Sequence, residues 1–335
     1  MRRAALALVL MAVLASPQLT AQSSQCTAQA VASRDACQKG TDLFLMLAPQ
    51  LSGALAGGGA MIGTARMANG LSLGLRLNVV EGQVPELGAV SISSTGAVQS
   101  TIETKRTPVP MPTFDAAFSL IPGFNAGRQR ILAVDLLASV AYVPTSDLEA
   151  FSVRTTNGAF KIGYGARVGL LADAGALPAV SVSYLRRTLP TSDIAASLPI
   201  NGLSGSAGRD SIALGALSLR ADALRASISK RIGFVEIGGG AGQDRYRNFA
   251  QLRTQVTPVI LGAPLPPVRS LYVVTQTLTR NAVYGSLALN FGRVHLGAEL
   301  GQTFGGDSVT TFNTFTDGKV NAARRFGTAG LRVRF

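Results

Sequence analysis

Few residues in this chain could do chemistry, and their spacing is unfavourable. His295 is the sole histidine, and Cys26 and Cys37 are the only cysteines. A serine-type relay would have to use His295 as its base. Ser227, Ile228, Ser229 and Lys230 spell the serine–lysine spacing of penicillin-binding enzymes. In an extended segment side chains alternate sides, so Ser227 faces away from Lys230. Gly238 to Gly242 is glycine-rich like a phosphate loop but lacks the Gly-Lys-Ser/Thr ending and a following helix. One histidine and two cysteines do not make a metal-ligand cluster. These residues point away from an enzyme and require no metal and no cofactor.

The elements that would position them are strands. Leu71, Leu73, Leu75, Leu77 and Val79 alternate with Ser72, Gly74, Arg76 and Asn78, and Ala329, Leu331, Val333 and Phe335 alternate with Thr328, Gly330, Arg332 and Arg334. Period-two alternation of this kind suits a wall with one apolar and one polar face. Further strands are expected over 132–142, 160–170, Thr113 to Pro122, Ala179 to Thr188, Gly215 to Lys230, Phe234 to Arg247, Thr279 to Phe291, Val294 to Phe304 and from Arg324 to the end. The alternation in Gly215 to Lys230 shifts near Asp222 and Ala223, as a bulge would make it.

The chain is 47% hydrophobic with 15% charged residues and 37 glycines, apolar for a secreted domain. Arg2 and Arg3 precede an apolar run, Ala4 to Ala15, and a small-residue exit near Ala21, the pattern of a secretory signal peptide over residues 1–21. A lipoprotein reading would use Cys26, although Ser23, Ser24 and Gln25 make a poor lipobox. An exported protein meets an oxidising compartment, where Cys26 is expected to pair with Cys37. After the leader no run approaches the roughly 20 apolar residues of a membrane helix. A membrane-spanning mature chain must therefore use strands, closed so that every backbone group is paired.

The fold expected is all-β: an antiparallel transmembrane β-barrel over residues 67–335, of about ten strands with room for twelve to fourteen. Residues 22–66 form an N-terminal periplasmic or plug segment, with a helix near 41–52 starting at a Thr41 cap and meeting Pro49, then Gly53, Gly57, Gly58, Gly59 and Gly63. Plug and exposed tail are both open readings. Inward glycines at 163, 165, 169, 238, 240, 242, 297 and 301 leave lumen volume that a plug could occupy. Links at 123–129, 172–177, 231–233 and 292–293 are short, and those at 81–112, 144–159, 189–214, 248–278 and 305–323 are long. Leu87 to Ser93 with Ala97 to Thr104 could form a hairpin or an extra pair of strands. Prolines 258, 264, 266 and 267 make 248–278 read as mostly irregular.

Phe335 ends the last strand, and an aromatic carboxy-terminus there resembles the assembly signal of bacterial outer-membrane barrels. The resemblance implies the barrel assembly machinery as a partner, short periplasmic turns and long external loops. His295, two residues after Arg293, then lies at the periplasmic end, far from surface substrates. The layout also resembles the long-chain fatty-acid transporter superfamily and barrel families near it, on the helix with Leu47, Ala48 and Pro49, the glycine-rich lead-in, Met111 and Pro112 entering a strand, and the strand pair Gly163 to Leu171 with Val180 to Arg186. That resemblance implies diffusion of a hydrophobic molecule past an amino-terminal hatch and names no contact residue. The chain departs from it in being short and lacking tryptophan, so six tyrosines and fourteen phenylalanines must build any aromatic girdle.

Without Arg2 and Arg3, 29 basic residues face 18 acidic ones, a balance of +11. No clustered basic-aromatic face suggests nucleic acid. Lipid is the nearer anionic partner: Arg186, Arg187, Arg245, Arg247, Arg280, Arg324 and Arg325 fall at external strand ends, where their planar forks would suit lipopolysaccharide phosphates. Alternation puts Arg76, Lys161, Arg167, Arg332 and Arg334 in the lumen with Asp135, Glu236 and Glu299, either lining a polar path or forming salt bridges that fill the barrel. Two functions follow: passive transport of a hydrophobic or amphipathic small molecule across a bacterial outer membrane, or a closed barrel that is structural or presents its loops to partners.

Overall fold

The computed structural model describes residues 22–335 except 69, 128, 144, 149–150, 201–208 and 317–319. The leader expected over residues 1–21 lies outside the described residues. Ten long strands form the wall: β1 (Leu71–Pro85), β2 (Thr104–Ile121), β3 (Ala133–Tyr142), β4 (Phe160–Leu171), β5 (Ala179–Thr188), β6 (Arg209–Ile232), β7 (Val235–Val256), β8 (Val268–Phe291), β9 (Val294–Phe304) and β10 (Arg324–Arg334). Each pairs antiparallel with the next. β10 pairs with β1, Leu331 opposite Leu75, and the ring closes. Closure leaves no unpaired edge in the wall, which is what a strand-built membrane span requires.

The wall's polarity inverts along its height. From the short turns up to the level of Asp222 the outer face is apolar, with Leu75, Phe118, Ile162, Ile228, Ile237, Leu287 and Leu300 exposed, while Arg76, Asp135, Arg167, Arg225, Asp244 and Glu299 are buried inside. Near the long loops the interior becomes apolar, with Leu219, Ala250, Leu252, Val274 and Leu278 buried around an internal helix. Outside at that level stand Arg245, Arg247 and Arg253. The outer face of β6 between Ile232 and Asp222, apolar but for Lys230 beside the short turn, covers about 33 Å of strand, or about 25 Å of height at a ~40° tilt, the height of a membrane belt. Phe234 stacks with Phe291, ring centroids 6.4 Å apart, at the short-turn margin. Tyr142 meets Phe160 at 5.0 Å at the other, so phenylalanine and tyrosine border the belt where tryptophan is lacking.

This inversion explains a correction. No register shift occurs at Asp222 and Ala223, which pair regularly with Arg245 and Asp244; the bulge lies between Gly215 and Ser218, where Ala216 takes φ +48°. Charge appears on the outer face at Asp222 because the strand has left the belt. The same extension overturns the irregular 248–278 segment, since β7 and β8 stay paired out to Val256 and Val268. Residues 87–104 form neither a hairpin nor a strand pair: Leu87–Ala89 is a 3-10 turn, and Thr101 and Ile102 pair in parallel with Thr314 and Phe315 of the last long loop.

Residues 22–66 also differ from expectation. A short helix α1 (Ser24–Thr27) leads into α2 (Val31–Ala56), 26 residues that begin a full ten positions before Thr41. At 1.5 Å per residue α2 is about 39 Å long. Gly40, Pro49 and Gly53 make it a poor helix by propensity, and it is held by burial on most of its circumference. Pro49 cannot donate to the Leu45 carbonyl. Gln276 Nε2 on β8 takes that place at 3.1 Å. The helix stops at Gly57, whose φ of +63° suits glycine and whose N–H bonds Gly53 O at 3.1 Å.

Candidate functional site

The helix runs down the lumen from the long-loop end to the short-turn end, where residue 70 delivers the chain into β1. Its direction is read from its contacts. Near its start, Gly40 fits against Leu252 and Ile212 of the extended β7 and β6, and Tyr272 Oη donates to Cys37 O at 2.6 Å. Further down, Ser52 Oγ donates to Asn248 Oδ1 at 2.7 Å. Past the helix, Ala65 N donates to Ser229 Oγ and Ala68 N to Asp135 Oδ2, both near the short turns.

The upper part of α2 ties down two long loops. Asp35 accepts from Ser93 N (2.7 Å), Val98 N (3.1 Å) and Lys39 Nζ (2.6 Å), and Lys39 also donates to Ser91 O. Asp42 accepts from Asn313 N (2.8 Å), Asn313 Nδ2 (2.7 Å), Phe312 N (3.2 Å) and Gln38 Nε2 (3.2 Å). Burial pushes the Asp42 carboxyl above its ordinary range, opposed by those four donors. Asn313 Oδ1 in turn accepts from Ser100 N, so the first and last long loops are sewn together over the mouth. The Cys26–Cys37 disulfide fastens α1 to α2 at this end.

In mid-lumen the carbonyl end of α2 meets three buried arginines, the charge sign its dipole favours. Arg187 donates to Ala56 O at 2.5 Å, Arg225 to Gly57 O at 3.2 Å and Arg76 to Gly59 O at 2.9 Å. Each is neutralised from the wall: Asp115 lies 3.0 Å from Arg76 and 3.4 Å from Arg187, and Asp244 lies 2.7 Å from Arg225. Below them Glu299 accepts from Gly59 N (2.9 Å) and Gly63 N (3.0 Å). Gly63 holds φ +69° with its Cα against Ala288, a turn closed to larger residues. Thr64 Oγ1 bonds Glu236, and Arg167 pairs with Asp135 at 2.6 Å.

Of the residues expected in the lumen, Arg76, Asp135, Arg167, Glu236, Glu299 and Arg332 are buried there, and Arg334 is half-buried at the short-turn mouth. Lys161 is a correction: it shares their face, yet it is exposed at the opposite rim. The seven rim arginines divide. Arg186, Arg245, Arg247 and Arg325 are on the outward register, whereas Arg187, Arg280 and Arg324 face inward, because neighbours such as 186 and 187 cannot share a side of a strand. Arg280 and Arg324 donate to Gly305 O and Glu81 O beneath the loops. Asp115, Arg225 and Asp244 were missed, although each breaks an apolar or glycine-rich strand at an inward position. Asp35 and Asp42 were missed because their partners lie in irregular loops.

Some inward glycines make room for the plug: Gly297 meets Ile62 and Gly169 meets Met67. Others accept the wall's own side chains, Gly242 under Arg225 and Gly301 under Phe326. His295 is buried at the short-turn end, its Nδ1 bonded to Asn290 Oδ1. Ser227 Oγ lies 2.6 Å from Tyr284 Oη inside, and Lys230 Nζ 2.5 Å from Asp173 Oδ1. The chain is a plugged β-barrel of the outer-membrane type.

No protein-family model matches it, and no curated protein matches it significantly. Solved structures similar to it include the translocator domain of autotransporter NalP from Neisseria meningitidis, at 12% identity over 96% of this chain and 100% of that one, TM-score 0.37. Ail, the attachment invasion locus protein of Yersinia pestis, matches at 11% identity over 80% of this chain and 99% of that one, TM-score 0.28. The deltaS2S3 mutant of the monoaromatic hydrocarbon channel TodX matches at 12% identity over 80% and 68%, TM-score 0.30. Likeness at this level carries no functional weight; the barrel is established by its strand pairing.

Proposed function

We propose that this chain is an integral bacterial outer-membrane barrel held shut by its own amino-terminal helix, and that the helix carries residues 22–30 to the external surface, where they join the long loops as a contact platform. The observation that carries the reading is the direction of α2, whose start lies with the long loops and whose end lies with the short turns. Short turns facing the periplasm and long loops facing outward is the ordinary orientation of such barrels, and Phe335, exposed at the periplasmic end, suits recognition by the assembly machinery. An epitope inserted between Gln22 and Ser23 is expected to be stained on intact cells as fully as one in loop 257–267. Staining only after the outer membrane is permeabilised would overturn the reading.

Transport of a hydrophobic or amphipathic small molecule, as in the fatty-acid transporters, is the second reading. It is favoured by the polar character of the lower plug contacts, which could exchange for water if the helix withdrew. Until then the lumen offers charged pairs and hydrogen bonds in place of an apolar path.

Lipopolysaccharide is the proposed lipid partner. Asp222, on the outer face at the belt's upper margin, gathers Arg186 (2.7 Å), Arg220 (3.3 Å) and Arg247 (3.6 Å), with Tyr184 Oη at 2.8 Å and Arg186 over the Tyr164 ring at 5.8 Å. Three guanidiniums against one carboxylate leave positive charge where lipid A phosphates would lie. Replacing Arg186, Arg220 and Arg247 by glutamine is expected to reduce lipopolysaccharide retained on the purified barrel severalfold; unchanged retention would contradict the assignment.

A further inference from the structure

The short-turn mouth concentrates positive charge that the protein leaves incompletely paired. Arg66 ends the plug, and Arg332 and Arg334 lie on one face of β10. Arg66, Arg167, Arg332 and Arg334 are near enough to act electrostatically on one another. Of the local carboxylates, Asp135 is engaged by Arg167 and Ala68 N. Glu236 Oε1 is engaged by Thr64 and Ser229, and Asp173 by Lys230 and Arg231 N, while Glu236 Oε2 and Asp135 Oδ1 are buried with no hydrogen-bond partner among the described residues. Asp222 and Asp244 are far up the wall.

The donors are correspondingly unsatisfied. Arg66 Nη1, both Nε and Nη2 of Arg332, and both Nε and Nη2 of Arg334 are buried atoms without a hydrogen-bond partner among the described residues. Arg332 as a residue is 2% exposed. Buried guanidinium donors are costly when unpaired, and a cluster of them is costlier through mutual repulsion. Beside them opens a cavity of about 360 Å³ lined by Arg66, Arg130, Arg334, Asn125 and Gln129 among others, with one carboxylate, Asp173, in its lining. Its volume is within the about 300–1,000 Å³ of small-molecule pockets.

We infer that the periplasmic mouth is a binding site for a phosphate-bearing anion, held by the forks of Arg66 and Arg334 with Arg332 behind them. Guanidinium forks match phosphate oxygens in pairs, and the bound charge relieves repulsion that Glu236, the one wall carboxylate acting on both Arg332 and Arg334, offsets only in part. The chemistry fits a free phosphate ester in the periplasm or the head group of an inner-leaflet phospholipid. This site is independent of the external platform, being built at the opposite mouth.

The test is calorimetry on the refolded full chain in a neutral detergent. One arm titrates inorganic phosphate; the other uses nanodiscs of phosphatidylcholine with or without phosphatidylglycerol and asks whether the charged lipid competes with phosphate. Saturable binding of phosphate is expected, roughly tenfold weaker in Arg66→Gln and in Arg334→Gln. Competition by phosphatidylglycerol assigns the site to a head group, and its absence assigns it to a soluble phosphate. Each variant removes a like charge and is expected to keep its heat-modifiable gel mobility, which separates loss of binding from loss of fold. No saturable heat in the folded parent, or equal affinity in both folded variants, would overturn the site.

Discussion

Replacing Asp115 by asparagine is expected to cost the barrel about 3–5 kcal/mol, the loss seen when one member of a buried charged pair is removed. Asp115 serves two guanidiniums at once, Arg76 at 3.0 Å and Arg187 at 3.4 Å, and both are only 2% exposed. Without its charge they would retain carbonyl acceptors at the end of α2 but lose their nearest counter-ion, and mutual repulsion would bear directly on the plug. The contrast is Glu81→Gln, which breaks a rim contact to Arg106 at 4.0 Å between exposed side chains. That change is expected to cost under about 1 kcal/mol. Urea midpoints of the refolded proteins, followed by gel mobility, measure both. Equal midpoints for Asp115→Asn and the parent would show that the lumen network does not hold the barrel together.

Much of the wall was legible because the membrane imposes a period-two code. β5 and β9 begin and end at the residues expected from alternation alone, and ten strands close with long and short links alternating. The code fails where the solvent changes. Above the belt the lumen side of β6, β7 and β8 turns apolar to pack the helix and the outside turns polar, so Asp222 reads as a slip and the paired strands beyond it read as loop. Prolines at 264, 266 and 267 strengthened that misreading, although they fall at or beyond the tip where pairing ends.

The plug was half legible. Glycines at 57–59 and 63 announced close packing, and they meet Asn78, Glu299 and Ala288. The length of α2 was hidden because local rules end a helix at Gly40 and Pro49, whereas here the barrel supplies what propensity lacks, down to Gln276 replacing the lost donor. The rim arginines were read by height without register, which sent Arg187, Arg280 and Arg324 to the wrong side. Most lumen charges were found where a charge interrupts a cleanly alternating strand; Asp115, in a strand entered with prolines, and Arg225 and Asp244, beside the apparent slip at Asp222, were overlooked.

A second large effect follows from the helix itself. An α-helix with side chains is about 10–12 Å across, so its removal from a ten-strand wall leaves a comparably wide aqueous path. Both members of the pairs Arg76–Asp115, Arg167–Asp135 and Arg225–Asp244 belong to the wall, so without the plug Arg76 and Arg225 would lose their bonds to Gly59 O and Gly57 O but keep their counter-ions and be hydrated. The barrel is therefore expected to fold without residues 22–66. Planar-bilayer conductance of the refolded protein, residues 22–335 against 67–335, tests the threaded-helix account most directly. The longer protein is predicted to be silent and the shorter to give stable open channels, both being heat-modifiable on gels. Steady conductance by the longer protein, or silence from a folded shorter one, would contradict it.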